Sequence, residues 1–182
     1  KAMYWWSNFD ADEVRAEFAV IRSLGMTVVR IFLLWDDWQP TPDTVSAACL
    51  RNLGTVLDAA VEHGLGLDIT FFTGHMSGPN WTPGWLRDSS IAPLEGRQLV
   101  SGGLIVDGWY RNYFTDAQAL DAQRLLIRSV VSEYKDHPGV WMWNLGNEPD
   151  LFAIAPNQEV GAGWVAEMTS LIKSIDPVHP VT

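Results

Sequence analysis

The sequence predicts an α/β fold in which helices alternate with parallel strands. Four stretches carry apolar residues at helical spacing, and short β-branched or apolar runs separate them, which is the alternation of a parallel α/β sheet. The chain has 182 residues, of which 47% are hydrophobic and 19% charged, so it can form one folded domain with a sizeable core. Its single cysteine, Cys49, excludes an internal disulfide and is expected to be a small buried residue.

The predicted elements follow one another in a regular order. Helices are predicted at about 12–24, 45–63, 116–134 and 159–175, strands at 27–35, 67–73 and 140–145, and the opening of a further strand at 180–182. Gly25 and Gly64 end the first two helices, and Pro138 follows the third. From about 74 to 115 the chain is rich in Gly, Pro and Trp without a sustained period, which indicates a long functional loop.

The spacing of the strands favours one particular α/β architecture. Two of the three intervals between strand starts are about 40 residues, as in a single β/α unit, whereas the third is about 75 and carries its extra length after a strand. Such insertions are typical of a (β/α)8 TIM barrel, which needs about 250 residues. We therefore expect residues 1–182 to form an incomplete barrel, roughly its first half, from the loop after strand one to the start of strand five. An open doubly wound sheet is the alternative.

Composition and motifs exclude several classes of protein. A formal net charge of −10 without clustered cations excludes a nucleic-acid binder. No apolar run approaches the roughly 18 residues of a membrane span, so a soluble protein is expected, either cytoplasmic or secreted. The four histidines lack metal-ligand spacing, and no phosphate loop or nucleophile elbow is present. We therefore expect neither a metal nor a cofactor.

The segment 141–150 is the most informative for chemistry. A parallel strand delivers its last residues to the carboxyl-end rim of a barrel, so Asn147 and Glu148 would emerge where such a barrel performs catalysis, and Pro149 ends the strand. A carboxyl group held against Trp and Leu side chains loses hydration, which favours its protonated form and suits it to proton donation. The alternative is a rim carboxylate in a turn, and the residues alone leave both readings open.

The motif at 147–149 and its surroundings resemble those of a known family. Asn147-Glu148-Pro149 at the end of a fourth strand, with Arg30 within a second strand and Trp-rich loops, resembles the retaining (β/α)8 glycoside hydrolases, most closely family 5. The stretches 29–35 and 72–78 resemble the bacterial endo-1,4-β-mannosidase branch. The resemblance covers essentially the whole chain.

The resemblance implies roles for four residues. Glu148 would be the general acid/base, and Asn147 would hydrogen-bond the sugar 2-hydroxyl. Arg30 would lie inside the barrel and keep the nucleophilic carboxylate ionised, or else form a structural ion pair with an acid of a neighbouring strand. His75 is placed like the substrate-contacting histidine of the family, and a hydrogen-bonded scaffold residue is the alternative.

One catalytic group of the family is absent. A retaining mechanism needs a second carboxylate about 5 Å from the first, and the family supplies it from strand seven. Asp36 or Asp37 could serve an inverting pair at wider spacing, but loop acids are usually only solvated. We therefore expect this chain to carry the acid/base without the nucleophile and not to turn over substrate by itself.

The ten tryptophans divide by position. Trp141 and Trp143 share one strand face and are expected to pack under helices. The others considered lie at a strand end or in loops, where a ring could stack on a sugar: Trp5, Trp6, Trp35, Trp81, Trp85 and Trp109. We take Trp6, Trp35, Trp81 and Trp109 as candidate substrate contacts.

The residues and the resemblance together predict a retaining β-glycosidase of the endo-β-mannanase or cellulase-like type that hydrolyses a β-1,4-linked polysaccharide, most specifically mannan. The main alternative is a catalytically silent carbohydrate-binding half-barrel, and a third is an α/β domain unrelated to sugars. The expected partner is an oligo- or polysaccharide. Half a barrel also leaves sheet edges and apolar faces uncovered, so self-association or a complementing half-barrel is expected.

Overall fold

Three parallel strands form the central sheet of the protein. The computed structural model describes residues 3–182. In chain order the elements are α1 (Ala11–Ser23), β1 (Val28–Leu34), α2 (Trp35–Trp38), α3 (Ala47–Glu62), β2 (Gly66–Thr73), β3 (Asn80–Trp81), β4 (Arg87–Asp88), β5 (Leu99–Ser101), β6 (Leu104–Val106), β7 (Trp109–Tyr110), α4 (Ala117–Tyr134), β8 (Val140–Asn144), α5 (Pro149–Phe152) and α6 (Gln158–Ile175). The sheet order is β1-β2-β8, with α3 and α4 as the crossovers, which confirms the predicted parallel β/α units.

The long helices begin where the sequence predicts, because each has a side chain that caps it. The cap oxygen accepts hydrogen bonds from the first free backbone N–H groups, which have no partner inside the helix. The four capping residues are Asp10, Ser46, Asp116 and Asn157. The predicted helix bounds consequently agree with the observed ones within two residues.

The two faces of the sheet have different surroundings. Side chains alternate across a strand, so Ile31 and Leu33 of β1 join the apolar core beneath the helices, whereas Arg30 projects from the opposite face. Asp68 of β2 and Asn144 of β8 lie on the same face as Arg30, because the three side chains contact one another. In a closed barrel this polar face would line the interior.

The two edges of this sheet also differ. The outer edge of β1 pairs with no strand within residues 3–182. At the outer edge of β8, Val181 forms a parallel bridge with Trp143, and the backbone N–H of Leu145 donates to the carbonyl of Thr182 over 3.0 Å. The segment predicted to open a further strand therefore lies beside β8.

The segment 74–115 is more ordered than the predicted loop. Strands β3, β5 and β6 form one small sheet, and β4 pairs with β7 in another. Each strand has only two or three residues, which is too short for a periodic pattern to be read from the sequence. Gly102 and Gly103 turn the β5–β6 hairpin with φ of 58° and 78°, values that favour glycine.

One prediction about packing is wrong. Trp143 is completely buried, as expected, but Trp141 on the same strand is 43% exposed. Its ring lies against Gly66, in space that a Cβ atom at Gly66 would occupy, near the first residues of β8. At this end of the strand the sheet face is therefore only partly covered.

A buried carboxylate joins β8 to the end of α6. Asp176 accepts hydrogen bonds from Trp143 Nε1 over 2.8 Å, from His179 Nδ1 over 2.7 Å, and from the backbone N–H groups of Val178 and His179. Burial would raise the pKa of Asp176, but these hydrogen bonds together lower it to about 2. The ionised carboxylate therefore stabilises the folded state.

Asp176→Asn is expected to lower the free energy of unfolding by about 2 kcal/mol at pH 7. Because the pKa in the folded state lies below its ordinary value of 3.8, this contribution is present above about pH 4 and is lost as the pH falls towards 2. Urea unfolding of both proteins across pH 2–7 measures it. Asp136→Asn, at an exposed carboxylate, is the control; a pH-independent difference for Asp176→Asn would contradict the assignment.

Candidate active site

The guanidinium group of Arg30 contacts several polar groups on the polar face of the sheet, in the half nearer the carboxyl ends of the strands. Its Nε donates to Thr70 Oγ1 over 2.8 Å and lies 3.7 Å from Asp68 Oδ2, both on β2. The guanidinium carbon lies 4.9 Å from the centre of the Phe32 ring on its own strand. Arg30 thus takes the place inside the sheet that the sequence predicts, and it also forms the ion pair with a neighbouring strand that was the alternative.

The other nitrogen atoms of Arg30 hold the turn that follows β8. Nη2 donates to Asn144 Oδ1 over 3.3 Å and to the carbonyl of Gly146 over 3.1 Å, and Nη1 donates to Asn147 Oδ1 over 3.3 Å. The planar guanidinium suits this task because its donors point in fixed directions. One side chain therefore contacts the last residue of β8 and two positions of the turn that follows it.

Asn147 is held from both ends of its amide. Its oxygen accepts from Arg30, and its Nδ2 donates to the carbonyl of His75 over 2.9 Å. The turns after β2 and β8 are thereby joined. Gly74 lets these segments approach closely, because a Cβ atom there would lie 2.3 Å from the Phe152 ring of α5.

The backbone at Glu148 is strained. Its φ of 46° and ψ of 56° place it in the left-handed region. Phe72 and Ser77 are the other non-glycine residues with positive φ within residues 3–182, and both lie at the end of β2 or just after it. Each such residue costs about 1–3 kcal/mol, and such strain is concentrated at functional sites.

The carboxyl group of Glu148 points towards solvent beside these anchors. Its side chain is 53% exposed, and Oε2 lies 4.0 Å from His75 Nε2 and 3.4 Å from Asn147 Nδ2. Of the two readings that the residues leave open, this exposure agrees with a rim carboxylate in a turn and not with a carboxyl packed against Trp and Leu side chains. The group is therefore accessible to a ligand.

His75 is buried, and it contacts two residues that the sequence analysis misses. Nδ1 lies 2.7 Å from Asn80 Oδ1, and Nη1 of Arg97 lies 3.0 Å from Nδ1 and 3.3 Å from Nε2. Asn80 and Arg97 belong to the segment without periodicity, where no pattern singles out individual side chains. The structure thus brings together Arg30, Asn147, Glu148 and His75, the four polar residues that the resemblance selects.

Comparison with known proteins identifies the family to which this fold belongs. The family described as "Glycosyl hydrolases family 2, TIM barrel domain" matches residues 92–182, half of the chain. The chain belongs to this glycosyl hydrolase TIM-barrel family. Its parallel β/α units are therefore part of a TIM barrel, as predicted.

Similar proteins extend the comparison to the rest of this glycosyl hydrolase chain. Mannan endo-1,4-beta-mannosidase F of Aspergillus clavatus is 31% identical over 133 residues, which are 73% of this chain and 26% of that protein. Exo-beta-1,4-mannosidase Op5Man5 from Opitutaceae bacterium strain TAV5 superposes with a TM-score of 0.80 at 26% identity over 97% of this chain and 28% of that one. A GH5_18 protein from Streptomyces cattleya, solved with GlcNAc, gives 0.79 at 25% identity over 98% and 40%. The chain spans well under half the length of these proteins.

Three of the tryptophans chosen as sugar contacts are buried in the glycosyl hydrolase fold. Trp6, Trp35 and Trp109 are 3%, 0% and 6% exposed, so they offer no open ring face. Trp6 donates to the carbonyl of Phe32, Trp35 donates to the side chain of Gln39, and Trp109 stacks on Tyr110. These predictions are corrected: tertiary packing uses the rings in the core. Trp81 is partly exposed and stays a candidate.

The two acids after β1 are not the solvated loop residues that the sequence predicts. Asp36 accepts hydrogen bonds from the Tyr4 hydroxyl over 2.8 Å and from the backbone N–H of Gly102 over 2.7 Å, and Asp37 accepts one from Ser7. Burial raises the pKa of both carboxyl groups, although these hydrogen bonds oppose the rise. Asp36 thus ties the amino-terminal segment to the β5–β6 hairpin.

Two classes of structure are not found in the part of the chain that the structure describes. No group of three or more His, Cys, Asp or Glu residues within residues 3–182 could hold a metal ion. In the same range, none of the helices has the length and apolar character that crossing a membrane requires.

Arg30→Met is expected to reduce the free energy of unfolding by about 1–3 kcal/mol at pH 7. Burial already raises the pKa of Asp68, and Arg30 and Asn144 oppose that rise, so losing the guanidinium raises the pKa further. An aspartate with a raised pKa in the folded state destabilises the fold once ionised, so the deficit grows as the pH rises from about 4 to 7.

Urea unfolding of the native protein and Arg30→Met at pH 4 and pH 7 measures this loss of unfolding free energy. The double variant with Asp68→Asn is expected to recover most of it. Arg15→Met, which removes a surface ion pair with Glu62, is the control and is expected to cost less than about 1 kcal/mol. A pH-independent loss for Arg30→Met would show that Asp68 is not its important partner.

Proposed function

We propose that this chain is part of a family 5 glycoside hydrolase that cleaves β-1,4-linked mannan with retention of configuration, and that Glu148 is its general acid/base. The observation that carries the proposal is the half-exposed Glu148 carboxyl at the end of β8, beside an asparagine fixed by Arg30 and the His75 carbonyl. The relatives support the substrate class, since one is a mannan endo-1,4-beta-mannosidase and another an exo-beta-1,4-mannosidase. The domain model that matches residues 92–182 is described under family 2, but the GH5_18 neighbour superposes over 98% of this chain and supports family 5.

Glu148 has two tasks in this mechanism. In the first step its protonated form donates to the glycosidic oxygen, so the bond to the leaving sugar breaks as a nucleophilic carboxylate bonds to the anomeric carbon. In the second step the Glu148 carboxylate takes a proton from water, and the resulting attack releases the sugar and restores the acid. An exposed carboxyl suits both tasks because it must reach a glycosidic oxygen and then a water molecule.

Asn147 would position the sugar that is being cleaved. Its oxygen is occupied by Arg30, and one of the two Nδ2 hydrogens is used by the His75 carbonyl. The second hydrogen has only long contacts, to Glu148 Oε2 over 3.4 Å and to Met76 Sδ over 3.9 Å, which a sugar hydroxyl would replace. A hydrogen bond to the 2-hydroxyl that strengthens in the transition state lowers the barrel enzyme's activation free energy. Arg30 therefore acts by fixing the direction in which Asn147 donates.

The rest of the site would come from elsewhere in the barrel. The family resemblance assigns the nucleophile to strand seven. The outer edge of β1, which pairs with no strand among the described residues, supports completion of the sheet by another segment or a second chain. We propose that residues 1–182 belong to one (β/α)8 catalytic domain, extending from the loop after strand one to the start of strand five. Its partner is then a mannan-type oligo- or polysaccharide.

Glu148→Gln in the full-length protein is expected to lower kcat/KM for mannan by about 10³-fold, because the amide cannot exchange a proton with the glycosidic oxygen. With an aryl β-mannoside, whose leaving group needs little protonation, added azide should restore turnover and yield the β-mannosyl azide. Reducing-sugar release and product NMR measure these outcomes. Glu159→Gln, at an exposed glutamate of α6, is the control. An α-azide would instead make Glu148 the nucleophile, and sugar binding by the native protein without turnover would favour the silent carbohydrate-binding alternative.

Trp81→Ala is expected to weaken binding of mannooligosaccharides by about tenfold, the equivalent of roughly 1.4 kcal/mol for one aromatic stacking contact. Titration calorimetry measures the affinity. Trp141→Ala is a matched control, because Trp141 is also partly exposed but lies near the first residues of β8, at the other end of the sheet. Equal losses in the two variants would contradict a sugar contact at Trp81.

A further inference from the structure

We propose that Asn80 is a positioning residue that holds His75 as the neutral tautomer protonated on Nδ1, so that the Nε2 lone pair faces the Glu148 carboxyl. The proposal rests on the proposed function in that Glu148 is taken as the acid/base. It assigns to Asn80 the task of placing a hydrogen-bond acceptor, and not a donor, beside that group.

The orientation of the Asn80 amide follows from its neighbours. Nδ2 lies 2.7 Å from the Tyr110 hydroxyl oxygen and 3.2 Å from the carbonyl oxygen of Leu151. A carbonyl can only accept, and the Tyr110 hydroxyl uses its own hydrogen on the carbonyl of Phe152. Both neighbours therefore need the NH2 group of Asn80, which leaves the amide oxygen directed at His75.

The amide oxygen in turn fixes the proton on the imidazole. Asn80 Oδ1 lies 2.7 Å from His75 Nδ1, a distance at which two lone pairs would repel each other, so Nδ1 must carry hydrogen. Both side chains are buried, so an unsatisfied polar contact there would have no water to compensate it. In the neutral ring Nε2 then has the lone pair, and it lies 4.0 Å from Glu148 Oε2.

Arg97 lies against the same ring, with its Nη1 3.0 Å from Nδ1 and 3.3 Å from Nε2. Asn80 and not Arg97 sets the tautomer, and with hydrogen on Nδ1 only Nε2 can accept from Arg97. The opposite tautomer would need the Asn80 amide to turn over, which would direct its oxygen at the carbonyl oxygen of Leu151. The charged groups facing the ring are Arg97, which opposes a positive charge on it, and Glu148, which favours one.

The tautomer of His75 determines which hydrogen bonds can form beside Glu148. A neutral Nε2 accepts hydrogen from the acid form of Glu148 or from a sugar hydroxyl, whereas a protonated Nε2 would compete with the substrate by donating to the carboxylate. The Leu151 carbonyl thus fixes the orientation of the Asn80 amide, and the amide fixes the proton of His75 on Nδ1. As a result, a hydrogen-bond acceptor, His75 Nε2, lies at the edge of the candidate site.

Nuclear magnetic resonance of protein labelled with ¹⁵N-histidine tests the proposal. Long-range ¹H–¹⁵N spectra at pH 7 without sugar distinguish the two tautomers, and His75→Gln identifies the signals. We expect the Nδ1–H pattern in the native protein. Asn80→Ala should shift His75 towards the Nε2–H form.

A matched control separates this role from a purely structural one. Asn112 also joins the 74–115 segment to the stretch after β8, through the carbonyl of Ile154, but it does not contact His75. Asn112→Ala should leave the His75 pattern unchanged. In the full-length enzyme, Asn80→Ala is expected to lower kcat about tenfold.

The proposal is overturned if native His75 carries its proton on Nε2 or on both nitrogens, or if Asn80→Ala leaves the tautomer unchanged. The native spectrum decides the tautomer even if a variant does not fold. Because the spectra need no sugar, they are independent of the proposed function: the expected tautomer in a full-length protein that does not cleave mannan would contradict the hydrolase assignment alone.

Discussion

The candidate site depends on a single cation placed among polar acceptors on the open face of the sheet. Arg30 contacts two residues of β2, the last residue of β8 and two positions of the turn after β8, so it joins strands that are distant in sequence. Its charge also opposes the rise in the pKa of the buried Asp68. Without it, the turn that carries Asn147 and Glu148 would lose two hydrogen bonds at Gly146 and Asn147, and the end of β8 would lose one. The geometry of the site therefore depends on the charge and the hydrogen bonds of Arg30.

The strained backbone at the carboxyl end of the strands is maintained by these contacts. A left-handed glutamate costs free energy that local interactions must offset, and the neighbouring Asn147 supplies two of them by bonding Arg30 and the His75 carbonyl. In this conformation the Glu148 side chain points away from the sheet and remains accessible to solvent. Core packing and the orientation of side chains at the rim are thus separate features of the fold. Core packing buries Trp6, Trp35 and Trp109, whereas the contacts at the rim leave the Glu148 carboxyl exposed.

Sequence patterns predict the scaffold well, because capped helices and apolar strands carry local signals. Glu148 and Asn147 can be selected from the sequence because they directly follow a recognisable strand and resemble a family motif. The burial of Trp35 could not be predicted, since a ring at a strand end either packs inward or faces solvent according to contacts from distant segments. Asn80 belongs to a two-residue strand, and its importance depends on partners 30 and 71 residues away, so no local pattern reveals it.

The bond between Asp36 and the β5–β6 hairpin has a consequence for how this surface can vary. The hairpin contributes a main-chain N–H at Gly102, so its attachment does not depend on which side chains follow at Leu104 and Ile105, both of which are largely exposed. Those two positions can accept chemically diverse residues while the loop keeps its anchor. The hairpin is accordingly a suitable place for libraries that diversify the rim without disturbing the scaffold.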